Sequence, residues 1–401
     1  MGKNPAHPHA NHRLVAIAAH DVVLLGATGY TGALTAEYLA GHAPPQTRWA
    51  LAGRNRAKLE ALRERLAVDV PLLHADVDDP RSLRDVAEAA RVVITTVGPY
   101  IRYGEPLVAA CAEAGTDYVD LTGEPEFVDR VYVRHHARAS ERGARIVHAC
   151  GFDCIPADLG TLLTVEALPE GVPLRVEGFV RAGGLPSGGS FHTAVTAFSR
   201  VRQMASAHAE RRRAEPAPDA RRVRAVRPAP RRERAVNAWV LPFPSLDPQV
   251  VAASARALDR YGPDFAYGHY LAIKRLPVAA GLVAGAASMF ALAQVPPARS
   301  LLLGRLSPGD GPTPEQRDRG WFEVRLVGEG GGRRVVTRIA GGDPGYGETS
   351  KMLAESALCL AHDELPPIAG QVTTAVAMGG ALVERLRRAG LSFVVIETME
   401  I

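Results

Sequence analysis

The segment between residues 22 and 32 carries three glycines at intervals of three, directly after an apolar run. A turn this tight needs residues without a Cβ atom, and the start of the following helix offers free N–H groups and positive partial charge to a diphosphate. The spacing therefore predicts a phosphate-binding loop, although an ordinary glycine-rich turn can have the same spacing. The residues of this predicted loop are Gly26, Ala27, Thr28, Gly29, Tyr30, Thr31 and Gly32.

The next predicted strand ends in Ala52-Gly53-Arg54-Asn55. Dinucleotide-binding domains specific for NAD place an acid at this point, where it bonds the ribose 2′-hydroxyl. An acid would repel a 2′-phosphate, whereas the planar Arg54 guanidinium can bind one with two hydrogen bonds, and Arg56 or Lys58 adds charge about one helical turn later. The pattern favours NADP(H) over NAD(H). The alternative is that Arg54 is an ordinary surface arginine at the start of a helix and binds no phosphate.

The segment after the fourth predicted strand also lies at the carboxyl edge, where ligands bind in parallel sheets. We expect this loop to face the nicotinamide ribose. Its residues are Thr96, Val97, Gly98 and Pro99.

Five side chains near the same edge are candidates for proton transfer or substrate binding: Tyr100, Tyr103, Asp120, Glu124 and Asp153. Reduction of an activated double bond needs a proton source beside the nicotinamide and no covalent nucleophile. A phenol or a carboxyl group can fill that role. The alternatives are packing for the two tyrosines, a turn for Asp120 and Glu124, and a helix cap for Asp153.

The cysteines and histidines do not indicate further chemistry. Cys150 and Cys154 are separated by three residues rather than two, and no neighbouring cation would lower a thiol pKa, so we expect buried structural cysteines. The histidines show no paired metal spacing, and no metal is predicted. With four cysteines in 401 residues and no secretory pattern at the N-terminus, the sequence favours a cytoplasmic protein.

The secondary-structure elements that position these residues are expected to alternate between strands and helices. From residue 21 onward, short apolar runs alternate with amphipathic stretches, which is typical of a parallel sheet with helices on both faces. Strands are predicted at 21–25, 48–52, 71–75, 91–96, 118–121 and 145–149, with helices between them. This pattern indicates the α/β class and a doubly wound, Rossmann-type sheet.

The length of the chain predicts more than one domain. We expect a disordered tail at 1–19, an NADP-binding Rossmann domain at 20–152, an inserted α+β substrate or dimerisation domain at 153–343, and C-terminal helices and a strand at 344–401 that pack back on the first domain. Within the second domain, residues 208–236 are mostly Arg, Pro and Ala, which predicts a flexible loop. A hairpin with a loose tip is predicted at 321–339, and one continuous helix at 372–388.

The stretch 277–294 is apolar and rich in Ala and Gly. Lys274 and Arg275 precede it, and Arg299 and Arg305 follow it. Its length reaches the lower limit for a membrane span. A buried helix or the wall of a substrate tunnel is the favoured interpretation, ahead of a peripheral contact with a membrane and of a true span. The arginines at 208–236 could attract anionic lipid or an acidic carrier protein. No nucleic-acid-binding pattern accompanies them.

Several blocks of this sequence resemble the saccharopine dehydrogenase-like oxidoreductases, and among them the mycobacterial trans-acting enoyl reductases of lipid biosynthesis. The blocks are 26–32, Ala52-Gly-Arg54, 95–104, 118–124, 149–158, Gly345-Tyr-Gly-Glu-Thr349 and 375–379. The resemblance implies an NADP-binding domain, an inserted α+β domain and C-terminal helices that return to the first. It argues against saccharopine dehydrogenase activity itself.

We therefore expect an NADP(H)-dependent reductase of a hydrophobic acyl or polyketide-type substrate, either free or bound to a carrier protein. Reduction of an enoyl thioester at its carbon–carbon double bond fits the resemblance. The alternatives are imine or ketone reduction in amino-acid-type metabolism, and a non-catalytic NADP(H)-sensing protein at lipid surfaces. A homodimer, and association with a membrane, are further expectations.

Overall fold

The computed structural model describes residues 18–183, 195–216, 221–226, 229–304 and 311–401. The predicted disordered tail therefore lies outside the described residues except for its last two positions.

The first sheet has the parallel, doubly wound arrangement that the sequence predicts. Its strands are β1 (His20–Leu25), β2 (Trp49–Gly53), β3 (Leu72–His74), β4 (Ala90–Thr95), β5 (Asp117–Val119) and β6 (Arg145–Val147). They lie in the order β6-β5-β4-β1-β2-β3, and every pair is parallel. Val22, Val23 and Leu24 are completely buried, as expected for a strand with helices on both faces.

The helices that cover this sheet follow the predicted pattern closely. They are α1 (Tyr30–His42), α2 (Arg56–Leu66), α3 (Pro80–Ala89), α4 (Tyr100–Tyr103), α5 (Glu105–Ala114) and α6 (Pro125–Arg142). Asn55 and Asp79 cap α2 and α3 by accepting hydrogen bonds from backbone amides. The carboxyl ends of the strands therefore lead into loops whose geometry is fixed by the start of the next helix.

A second, mixed sheet forms the α+β domain. Its order is β15-β13-β12-β7-β11-β10-β9, with β8 also beside β11. The elements from Ile155 to Gly341 are α7 (Ile155–Glu166), β7 (Leu174–Gly183), α8 (Val201–Ala214), β8 (Arg222–Ala225), β9 (Arg231–Glu233), β10 (Ala238–Pro242), α9 (Asp247–Ala257), a 3-10 turn (Asp259–Tyr261), β11 (Asp264–Ile273), α10 (Leu276–Ala293), α11 (Pro296–Gly304), α12 (Pro314–Arg317), β12 (Trp321–Gly330) and β13 (Arg333–Gly341).

The chain then returns to the first sheet and leaves it again. Its last elements are α13 (Gly347–His362), β14 (Gly370–Val372), α14 (Thr374–Ala377), α15 (Gly379–Arg388) and β15 (Ser392–Glu400). β14 extends the first sheet beside β6. β15 instead pairs with β13 in the second sheet, so the prediction that the last strand packs back on the first domain is wrong. The single helix predicted at 372–388 is interrupted, because Gly379 has a φ of +46°.

Two further predictions need correction. The arginine-rich residues 208–236 form α8, β8 and β9 over most of their described part, so a flexible loop is the wrong description. Arg211 shows why. It is 7% exposed, and its guanidinium lies 3.2 Å from Asp129 on α6 and 2.7 Å from Glu215 in the same segment. The contact with Asp129 fixes a segment that cannot form its own core. The hairpin of β12 and β13 has a tight tip rather than a loose one, since Gly331 and Gly332 take positive φ values.

A buried carboxylate joins the two domains. Asp158, on α7, is completely buried and accepts hydrogen bonds from Ser254 on α9 at 2.5 Å, from the Thr374 hydroxyl on α14 at 2.7 Å and from the Ala375 amide at 2.8 Å. Burial raises the pKa of Asp158 to about 6, and the hydrogen bonds oppose that rise. One side chain therefore holds three helices that are distant in sequence.

We expect Asp158→Ala to lower the free energy of unfolding by about 3 kcal/mol, because buried donors lose their acceptor. Urea denaturation of the full chain measures this loss. Asp79→Ala is the matched control, since it removes an exposed helix cap whose loss costs about 1 kcal/mol. Equal losses in the two variants would show that Asp158 does not tie the helices together.

Candidate active site

The glycine-rich loop forms a shallow cradle at the end of β1. Gly26 has a φ of +87°, and a Cβ there would lie 2.7 Å from Thr96 Oγ1. A Cβ on Gly32 would lie 2.1 Å from the Gly26 carbonyl oxygen, so α1 can begin against the strand only because this residue has none. Gly29 is exposed, and a Cβ on it would meet only the Gly26 carbonyl at 3.4 Å. The cradle is thus open at Gly29, on the side where a diphosphate would lie.

The start of α1 suits an anion. Gly29 is its N-cap and no side chain caps the helix, so the first backbone amides are available to a ligand. Ala27 is buried and Thr28 is exposed, while the Thr31 carbonyl accepts a hydrogen bond from Ser350 at 3.3 Å. The residues present therefore fit a dinucleotide diphosphate.

Tyr30 attaches another part of the chain to the cradle. Its hydroxyl donates to the Pro312 carbonyl at 2.5 Å and accepts from the Arg317 guanidinium at 2.5 Å. Its ring meets Tyr346 edge to face, with centroids 4.7 Å apart. The segment around α12 therefore lies over the start of α1.

Arg54 lies at the carboxyl end of β2, where the sequence predicts a contact with the 2′-phosphate. Its side chain is exposed and, within the described part of the chain, has no ionic partner. Lys58 is also exposed, on the first turn of α2. Arg56, in contrast, forms an ion pair with Glu60 at 2.9 Å. Arg54 and Lys58 are thus the cations free to meet a phosphate at this edge.

Asp120 connects the loops that follow β5 and β6. Its carboxylate is completely buried and accepts from the Thr122 amide at 3.0 Å and from the Ala149 amide at 2.9 Å. The Tyr118 hydroxyl donates to the other oxygen at 2.9 Å, and the His148 ring lies 2.7 Å from it. Because all its lone pairs have partners, Asp120 positions neighbouring loops rather than meeting substrate.

Glu124 and Tyr100 connect the loop after β4 to the same framework. The Glu124 carboxylate accepts from the Tyr100 amide at 2.9 Å and from the Ile101 amide at 2.7 Å, which caps α4. The Tyr100 hydroxyl donates to the Thr95 carbonyl at 3.1 Å and accepts from the Leu121 amide at 3.2 Å. Burial also raises the pKa of both side chains. These contacts favour a positioning role for Tyr100 and Glu124.

The loop after β4 lies against the glycine-rich cradle. Thr96 Oγ1 donates to the Gly26 carbonyl at 3.1 Å, and the Val97 amide donates to Thr95 Oγ1 at 3.2 Å. Gly98 is exposed, and Pro99 is half-buried as the N-cap of α4. Tyr103, at the other end of α4, is half-buried beneath the Arg102 guanidinium, 5.0 Å above the ring. Its hydroxyl has no hydrogen bond to any described residue, so Tyr103 remains available.

Asp153 differs from the other acids at this edge. It lies in the tight loop between β6 and α7, and its side chain is exposed. Protein nevertheless surrounds it closely enough that burial raises its pKa to about 7, with the charge of Asp247 as a second cause. Its side chain is thus accessible to solvent and has protein close around it. Asp153 can therefore both lose and regain a proton near neutral pH.

The backbone around Asp153 is strained. Ala149 has a φ of +59° and Cys154 a φ of +95°, values that non-glycine residues rarely adopt. The Phe152 amide donates to Thr349 Oγ1 at 3.0 Å, which fixes the loop against the start of α13. Such strain is found most often where a side chain is held for a function.

A polar cluster on the second sheet, which sequence reasoning missed, lies near this loop. The His269 Nδ1 is 3.0 Å from the Tyr267 hydroxyl, and its Nε2 is 3.8 Å from Asp247. Burial lowers the pKa of His269, so the ring is neutral at neutral pH. The sequence carries no pattern here that would have revealed the cluster. His148 was also missed, although its place directly after β6 could have indicated a role.

Cys150 and Cys154 are buried free thiols, in agreement with the structural role expected for them. Burial raises the pKa of each thiol well above its ordinary value. Across the described ranges, no group of three or more His, Cys, Asp or Glu side chains is arranged to hold a metal ion.

Comparison with known proteins identifies a family and several relatives that resemble this chain. Residues 22–147 match the family described as saccharopine dehydrogenase NADP binding domain. A trans-acting enoyl reductase of Mycobacterium ulcerans (strain Agy99) is 36% identical, over 92% of this chain and 96% of that protein. A trans-acting enoyl reductase of Mycobacterium tuberculosis (strain ATCC 25618 / H37Rv) is 37% identical, with the same coverage.

The fold has a counterpart among solved structures. Apo saccharopine dehydrogenase (L-Glu forming) from Saccharomyces cerevisiae superposes with a TM-score of 0.52 over 95% of this chain and 100% of that one, at 11% sequence identity. That likeness concerns the fold alone. The identity to the mycobacterial proteins extends over both domains, and the NADP-binding match covers the sheet that carries the glycine-rich cradle. The chain therefore belongs to the saccharopine dehydrogenase-like, NADP-binding oxidoreductases, in the family of the mycobacterial trans-acting enoyl reductases.

Proposed function

We propose that this protein uses NADPH to reduce the carbon–carbon double bond of an enoyl thioester on a hydrophobic acyl or polyketide-type chain. The observation that carries the proposal is Asp153, an accessible carboxyl group with a pKa of about 7 beside the loops of a nucleotide-binding sheet. The relatives named as trans-acting enoyl reductases support the choice of bond.

The first domain supplies the binding groups for the cofactor. Gly26, Gly29, Gly32 and the first amides of α1 would hold the diphosphate, and Arg54 with Lys58 would bind the 2′-phosphate. The loop of Thr96, Val97, Gly98 and Pro99 would lie along the nicotinamide ribose. When bound, NADPH supplies the hydride that reduction requires.

The second requirement is a proton for the carbon next to the thioester carbonyl. Asp153 is protonated below pH 7, and its exposure allows a substrate atom to approach it. Tyr103 is the second candidate, because its hydroxyl is not committed to a described partner. The buried acids Asp120 and Glu124 hold the loops that aim these groups.

Oxidation of NADPH in the presence of a long-chain 2-enoyl thioester tests the proposed reaction. We expect loss of NADPH absorbance together with an acyl product two mass units heavier. A saturated thioester is the control and leaves NADPH unchanged. Turnover of an imine or a 3-ketoacyl thioester, with none of the enoyl substrate, would contradict the proposed bond and favour the alternative reductases.

Arg54→Ala should weaken NADPH binding by about 10- to 100-fold, because a charge-assisted pair with the 2′-phosphate is lost. The affinity for NADH, which has no such phosphate, should change little. Titration calorimetry measures both constants. Arg56→Ala is the matched control, since its guanidinium is already paired with Glu60. Equal affinities of the wild-type protein for NADH and NADPH would refute the role of Arg54.

Asp153→Asn should lower the turnover number by about 10²- to 10⁴-fold with NADPH affinity unchanged, because the amide cannot supply the proton. The pKa of about 7 also sets a direction: the wild-type rate should fall as pH rises through 7 and the carboxyl group loses its proton. Stopped-flow rates across pH 5 to 9, a range of about two units on each side of that pKa, show both effects.

The exposed Asp78→Asn serves as control for the Asp153 variant and should keep the wild-type pH profile. An Asp153→Asn variant with the full rate at every pH excludes this residue as the acid. Loss of turnover in Tyr103→Phe would then assign the proton to the phenol.

A further inference from the structure

α10 is a long apolar helix on the surface of the second domain. Its 18 residues have a mean hydropathy of 1.9, and only 11% of them are buried. By length and composition it could cross a membrane, and it is the one such helix within the described ranges. The expectation of a buried helix or a tunnel wall at 277–294 is therefore wrong. Leu276, Val278, Leu282, Val283, Phe290 and Leu292 are each at least 45% exposed.

The helix has no polar face. At about 100° per residue, the exposed side chains of Leu276, Leu282 and Leu292 point in widely separated directions, and no charged residue interrupts the helix. A helix that is apolar on all sides is stable when protein or lipid covers it. Only Ala279 and Ala293 of this helix are buried against the protein.

Basic residues lie beside the apolar surface. Lys274 and Arg275 precede α10 and are exposed, and Arg299 lies on α11. No Asp or Glu occurs from Lys274 to Gly304. Arg232 is exposed two strands from Ile273, because it pairs with Trp239, which pairs with Ile273. Unopposed cations at the base of an apolar helix complement an anionic surface.

The chain before α10 and the chain after it are both attached to the rest of the protein. The helix leaves β11 at Ile273, and the chain returns to the glycine-rich cradle where Tyr30 binds Pro312. Near its end, Phe290 meets the Phe198 ring at 5.7 Å, and Gln294 donates to the Phe198 carbonyl at 2.7 Å. A single crossing would separate the two ends, so the attachment fits insertion into one leaflet from one side.

One chain segment links the helix to the loop that follows β4. A small cavity at the loop that follows β4 is lined by Ile101, Glu124 and Glu126 and by four residues of the segment 196–204, namely Thr196, Ala197, Arg200 and Met204. Arg200 binds the Glu126 carboxylate there through two contacts of 2.7 Å. Phe198, which contacts α10, belongs to the same segment. The segment that contacts α10 thus also contacts the surroundings of Glu124.

We infer that α10, with Lys274, Arg275 and Arg299 beside it, docks this protein onto the surface of an anionic lipid bilayer, so that the acyl chain of the substrate reaches the active site from the membrane. The docking stands on the apolar helix and its basic flanks alone. The path of the acyl chain rests in addition on the proposed function. A second copy of the chain is the competing occupant of the same surface.

Flotation with lipid vesicles tests the docking without any substrate. We expect the full chain to float with phosphatidylcholine vesicles that contain phosphatidylglycerol, and to float less at high salt. Leu282→Asp with Val283→Asp should reduce the bound fraction at least tenfold. Lys274→Ala with Arg275→Ala should reduce it by about 10- to 30-fold on anionic vesicles, with little change on phosphatidylcholine alone.

Val133→Asp is the matched control, because Val133 is 41% exposed on α6 of the first domain. NADPH affinity checks that each variant is folded. Wild-type protein that stays with the aqueous phase overturns the inference. A concentration-dependent dimer that Leu282→Asp with Val283→Asp dissociates in the absence of lipid would assign the surface to a second copy instead.

The two proposals can fail separately. If vesicles bind but no enoyl thioester is reduced, the docking stands and the proposed reaction falls. If both hold, the Asp pair at 282 and 283 should slow reduction of a long-chain enoyl thioester dissolved in vesicles and leave that of a short, water-soluble one unchanged. Equal rates with the vesicle-dissolved substrate for the pair and the wild type would overturn the membrane path.

Discussion

The hydrogen bonds of the Asp120 carboxylate are the constraint on which the candidate site depends. Parallel strands leave their loops free at the carboxyl edge, and a side chain placed there needs a fixed backbone beneath it. Asp120 supplies this by joining the loop after β5 to the start of the loop after β6. Thr122 then orients the Glu124 amide, and the Glu124 carboxylate holds the loop after β4. Three separate loops become one rigid edge.

The acidic residues at this edge of the sheet form two groups, according to whether their carboxylate oxygens already accept hydrogen bonds from the protein. Asp120 and Glu124 are buried with donors on both oxygens, which makes them parts of the scaffold. Asp153 lies only a few residues beyond β6 and is the same residue type as Asp120, yet it is exposed and its pKa is close to neutrality. Residue type and position at the edge of the sheet therefore do not distinguish a buried scaffold acid from an accessible one, whereas the hydrogen-bond partners do.

The same distinction explains which features of the fold and of the candidate site could be predicted from the sequence. Strands β1 to β6 were predicted to within about two residues, because buried parallel strands have strong periodic patterns, whereas the one-turn helix α4 was not predicted. The glycine-rich cradle could be predicted because Gly26 and Gly32 meet steric demands that no other residue meets. The roles of Tyr100, Asp120 and Glu124 could not, because they depend on partners in neighbouring loops. The burial of Arg211 could not be predicted either, because its acidic partner Asp129 is 82 residues away in the sequence.

The path of the chain between the two sheets has a mechanical consequence. The backbone passes from the first sheet to the second at α7, returns at α13, and leaves again before β15. One apolar cluster runs without a break from β1 and β4 through α7 and α13 to β7 and β12. Lobes joined by several covalent connections and a continuous apolar interface resist hinge bending and unfold together. The loop that carries Asp153 lies between these lobes, so a ligand bound beside it would meet a surface fixed by packing instead of one that closes when a lobe swings.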